Sequence, residues 1–104
     1  MIDRTTVAAF PGAEIVLPGL DDLAAGRLSA AACLVSIARP LMETSGLTSG
    51  FAPLKYVNDP ERTLYSLLRD DHPDPYSRYN SLLRRLVSFE RAVRQALGKR
   101  SAQN

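Results

Sequence analysis

After Asp74-Pro75 the chain runs YSRYNSLLRRLVSFERAVRQAL before reaching Gly98, and this segment constrains the fold more than any other. Tyr79, Leu82, Leu83, Leu86, Phe89, Val93 and Leu97 recur at intervals of three and four, which places them on one side of an α-helix. With Val87 added the apolar stripe spans roughly 160°, wider than a coiled-coil seam and suited to a helix that packs on a core. Such a helix demands cover. Either the rest of the chain folds against it or a second copy does.

The upstream punctuation is helical as well. Asp59-Pro60-Glu61 combines an N-cap acid, proline at the first helical position and a further acid, and Leu64, Tyr65, Leu67 and Leu68 supply the buried side of the helix that follows. Ser29 suits an N-cap for a helix over residues 30–39, whose alanines allow close approach of a neighbour. Pro40 then ends or bends that helix. Leu20 to Ala25 reads as a short helix of a turn or two, closed by Gly26. Residues 13–17, bounded by Pro11-Gly12 and Pro18-Gly19, read as an extended piece, so residues 1–19 are expected to form an N-terminal arm. Residues 44–58 form a long connection, with 44–50 its mobile half, and residues 98–104 a frayed tail. The expected architecture over 1–104 is a single all-α domain, a bundle of about four helices with the longest at the C-terminus.

A chain of 104 residues with a 45% hydrophobic fraction is large enough to hold a core without disulfides or metals. The lone Cys33 excludes an internal disulfide and suits a reducing compartment. No stretch approaches the roughly 20 apolar residues of a membrane span, and no secretory leader is visible, so the expected location is the cytoplasm. Net charge is +2, but it is unevenly spread: residues 1–75 carry 6 Lys/Arg and 10 Asp/Glu, whereas 76–104 carry 7 Lys/Arg and only Glu90. Either the two regions attract each other within the fold, or the basic segment meets a partner.

No catalytic set emerges. GxGxxG, GxxxxGK[ST], CxxC and HxxxH are all missing from the sequence. His72 stands among Asp70, Asp71 and Asp74, but these acids serve better as helix-end and capping residues than as metal ligands. Cys33 reads as a small core hydrophobe. No cofactor, metal site or catalytic residue is assigned.

The candidate partner-binding residues are Arg78, Arg84, Arg85, Arg91 and Arg94 along the stripe's borders, with Tyr76 and Tyr79 on the first turn. Border arginines commonly lay their apolar stems over the core and keep the guanidinium wet. The same residues also suit an acidic protein surface or, as the alternative, nucleic acid or an anionic surface, with the tyrosines stacking on bases. Glu90 falls within the apolar sector and is a candidate buried polar contact, with Arg94 one turn on as its partner. The expected function is a small non-catalytic protein–protein interaction or accessory module, homo-oligomeric or bound to another protein.

Overall fold

Proline, glycine and capping side chains set the starts of six helices in a computed structural model that describes residues 2–71 and 73–102. They are α1 (Arg4–Val7), α2 (Ala13–Ala24), α3 (Ala30–Ile37), α4 (Arg39–Ser45), α5 (Pro60–Asp71) and α6 (Pro75–Ala102). No strand occurs among the described residues, so the all-α class holds. The helices outnumber the four expected because the N-terminal region is helical and the segment around Pro40 divides in two.

The largest departure from expectation lies in residues 13–17. They are not an extended arm but the first turns of α2, and Pro18 sits inside that helix. An interior proline costs a helix about 3 kcal/mol. Against it stand Val16, Leu17, Leu20 and Leu23, all buried on one side of α2. Burying each such side chain contributes about 1.5–3 kcal/mol, so burial wins. Gly19, the other half of the Pro-Gly pair, has a packing role: a Cβ there would lie 2.2 Å from the Ala31 carbonyl oxygen, so α2 and α3 cross nearly backbone to backbone. Gly12, with φ +82°, turns the chain into α2, where a Cβ would lie 2.6 Å from the Arg85 carbonyl of α6.

Local capping follows the sequence closely at three points. Ser29 Oγ accepts from the Ala32 N–H at 3.0 Å and donates to Asp22 at 2.6 Å, joining the start of α3 to the end of α2. Gly26 takes the left-handed conformation after α2, with φ +73°. Asp74 Oδ1 accepts from the Ser77 N–H at 3.2 Å and opens α6. Asp59 behaves differently: its carbonyl accepts from Thr63 at 3.0 Å while its carboxylate lies 3.7 Å from Arg62. Pro40 bends the path by occupying the first turn of α4, where its missing N–H is harmless.

Helix α3 is the centre of the bundle, packed on α2 and α5, and α6 runs along α5, α2 and α4. Ala32, Cys33, Leu34 and Val35 of α3 join Leu64 and Leu68 of α5 and Leu82, Leu86, Phe89 and Val93 of α6 in one core. The connection after α4 starts at Gly46 rather than at Thr44, because Thr44 and Ser45 complete that helix. It is held at both ends: Leu47 is buried, and the Val57 N–H donates to Ser36 Oγ at 2.9 Å. Arg39 also lies 4.7 Å over the Tyr56 ring.

The tail departs from expectation too. Helix α6 continues through Gly98 to Ala102 instead of stopping at Gly98. A helical glycine costs only about 1 kcal/mol, too little to stop a helix already 23 residues long. Residues 103 and 104 lie outside the described residues. At 1.5 Å per residue the 28 residues of α6 span about 42 Å, which accounts for most of the 48 Å long axis of the molecule.

Candidate interaction face on the last helix

The buried stripe of α6 is narrower than the sequence implies. Leu82, Leu86, Phe89 and Val93 are buried, and Tyr79, Leu83 and Leu97 partly so. Val87, which apolar character alone assigns to the stripe, is 48% exposed. The neighbouring helices decide this, since α5, α2 and α4 cover one side of α6 and none of them reaches over Val87.

Val87 therefore belongs to a second, outward strip. Asn80, Leu83, Arg84, Val87, Ser88 and Arg91 line a shallow depression on that side. Successive residues turn by 100°, so these six lie within roughly 140° of one another and are centred nearly opposite the core. The strip has its own regular spacing: Tyr76, Asn80, Leu83, Val87, Glu90 and Arg94 alternate steps of four and three. Tyr76 is 67% exposed and begins the strip at the N-terminal end of the helix. Leu83 and Val87 form an apolar ridge one turn long. Arg84 and Arg91 stand together along one flank of it.

The five arginines do not converge. Arg85 faces the far border and pairs with Glu14 of α2, so it ties α6 to the rest of the fold. That contact, with the Glu14 N–H acting on its own carboxylate as the larger influence, holds the Glu14 carboxyl below its usual range. Arg94 lies 3.9 Å from Glu90, a half-buried carboxylate one turn earlier. Arg78 is exposed on the same far border as Arg85. Arg78, Arg84 and Arg91 make no ion pair among the described residues.

The tyrosines also separate. Tyr79 packs edge-on against Tyr65 of α5, with ring centroids 5.7 Å apart and planes at 73°, so its face is engaged inside the fold. Tyr76 alone of the pair projects outward. Sequence reasoning identified Arg84, Arg91 and Tyr76 but passed over Asn80, Leu83, Val87 and Ser88 as face residues. For Asn80, Leu83 and Val87 the signal was present in the four-three spacing that starts at Tyr76.

Two acids of α2 are engaged near the N-terminus. Arg4 grips Asp21 with two hydrogen bonds of 2.7 and 2.8 Å, which fastens α1 to α2 and lowers the Asp21 pKa. Ser29, and then Arg27, hold the Asp22 carboxyl below its ordinary value. Cys33 is fully buried, and burial pushes its thiol pKa up, the opposite of what a nucleophile requires. His72, considered above as a loose metal ligand, lies outside the described residues. No helix among the described residues is long and apolar enough to cross a membrane.

No protein-family model matches the chain, and neither the curated proteins nor the solved structures include a significant match.

Proposed function

We propose that this chain is a non-catalytic interaction module that docks a protein, another chain or a second copy, on the outward strip of α6. One observation carries the reading. A helix whose inner stripe builds the core also carries an exposed Val87 next to half-buried Leu83, beside two arginines, Arg84 and Arg91, that make no ion pair among the described residues. Tyr76 and Val87 are two of the three large hydrophobic side chains that the described residues expose, and both lie on this strip. Open, shallow apolar surface rimmed by polar groups marks protein contacts more than substrate sites, which are enclosed clefts. The buried, unreactive Cys33 fits a reducing cytoplasm as the setting.

Nucleic acid fits the strip less well. Stacking would rest on Tyr76 alone because Tyr79 is packed on Tyr65. The Leu83–Val87 ridge would also meet phosphates rather than apolar surface.

Photo-crosslinking in the native cell tests the proposal. Val87→p-benzoylphenylalanine is expected to form a discrete protein adduct, and the same residue placed at exposed Ser49 is expected to form none. No adduct from position 87 under conditions where the protein is folded and abundant would remove the reading.

A further inference from the structure

We infer, on the reading of α6 as a docking face, that the occupant is an amphipathic helix of another protein bearing two carboxylates about two turns apart on one flank. The shape comes first. Tyr76, Asn80, Leu83 and Val87 follow one another along α6 at steps of four, three and four, and the surface around Leu83 and Val87 is open rather than enclosed. Leu83 and Val87 stand four residues apart, the spacing of a helix ridge that fits the groove of a second helix.

Charge identifies the rest. Arg84 and Arg91 lie on the same side of the ridge and seven residues apart, about 10.5 Å along the axis. A helix laid on the ridge runs one of its own flanks past both guanidinium groups, and Asp or Glu at a seven-residue interval meets them. Among the described residues no carboxylate pairs with Arg84 or Arg91. Arg4–Asp21, Arg27–Asp22, Arg39–Glu43 and Arg62–Asp59 pair within the acidic portion, and among the described residues Glu14–Arg85 is the one ion pair that joins this portion to α6. Arg84 and Arg91 are therefore charges that the described part of the fold leaves without a carboxylate.

The same bookkeeping disfavours a second copy. Helix α6 holds seven Lys/Arg against Glu90 alone. An antiparallel pair centred between Leu83 and Val87 would bring each Arg84 near its own counterpart, like charge to like charge.

Peptide binding to the full chain, read by fluorescence anisotropy, tests the inference alongside the position-87 adduct. Three stapled helical peptides share one apolar pattern and differ only at two flank positions seven residues apart, which carry Glu, Gln or Lys. The Glu peptide is expected to bind about tenfold more tightly than the Gln peptide, the gain from two exposed charge pairs, and the Lys peptide more weakly still. Arg84→Glu/Arg91→Glu is expected to invert that order. Arg84→Gln/Arg91→Gln is expected to abolish it, with helix content by circular dichroism unchanged in both variants. Equal binding of the Glu and Gln peptides overturns the inference, while a protein adduct at position 87 leaves the docking reading standing. An adduct with a second copy of the chain, or with RNA, also overturns it. No binding by any peptide together with no adduct removes both.

Discussion

A single substitution made at two glycines separates what a helix gains from alanine and what its neighbour allows. Gly19 and Gly98 are both helical, in α2 and α6. In an isolated helix Gly→Ala stabilises by about 1 kcal/mol, because alanine has less backbone entropy to lose. At Gly98 nothing lies within 4 Å of the new Cβ, so that gain is expected nearly in full. At Gly19 the new Cβ would sit 2.2 Å from the Ala31 carbonyl oxygen and 2.7 Å from Val35 Cγ2. An ordinary contact needs more than 3.4 Å, and the first of these atoms is backbone, so α2 and α3 must separate by about an ångström along their crossing. Overpacking of this kind costs up to about 3 kcal/mol, and the propensity gain offsets about 1. The expected net loss of about 2 kcal/mol lowers Tm by roughly 10 °C in a domain of this size. Thermal unfolding followed by circular dichroism at 222 nm measures both variants on the same day. A Tm for Gly19→Ala equal to or above wild type would show that α2 does not cross α3 at Gly19, and the account of the N-terminal region would fail with it.

Adjacent residues on α6 give a sharper contrast. Leu86→Ala removes a buried core side chain and is expected to cost 2–5 kcal/mol, whereas Val87→Ala should lie within about 0.5 kcal/mol of wild type, both read from urea midpoints. Ser36→Ala deletes the acceptor for the Val57 N–H and should cost about 1–2 kcal/mol by the same measurement, with earlier proteolysis of the 46–59 connection. Glu14, Asp21 and Asp22 all have depressed pKa values in the folded state. Their contribution is present above the ordinary carboxylate range and is lost as pH falls through the lower folded values. Tm should therefore drop on acidification below about pH 4, and the drop should be smaller in Asp21→Asn/Asp22→Asn. Cys33 in the native protein should resist a thiol reagent that labels it fully in denaturant, since it has no exposed surface.

Much of the fold was legible because its signals are local. Ser29, Asp74 and Gly26 act within three or four residues of themselves, and the sequence names them without knowledge of the neighbours. Helix α2 was not legible, because Pro11-Gly12 and Pro18-Gly19 are strong breakers by the same local rules. What overrides them is tertiary. Val16, Leu17, Leu20 and Leu23 find α3 and α6 to pack on, and the two glycines are needed for backbone approach rather than for turns alone. The Arg85–Glu14 pair, whose members stand seventy-one positions apart, lies beyond any local pattern.

The candidate site shows the same division between pattern and neighbour. Apolar periodicity counts Val87 with Leu83 and Leu86 because it measures direction around one helix, not whether another helix lies in that direction. The bundle covers α6 from three helices on one side, and the cover ends at Leu83. Beyond that edge the same kind of side chain changes its role from core to contact surface. Arg84 and Arg91 change role with it: beside a covered Val87 they would be ordinary rim arginines shielding core, and beside an exposed one they flank an apolar ridge with no carboxylate of their own. One residue's exposure thus decides how two others are read, and a partner helix that buried Val87 would return both arginines to the rim of a closed core.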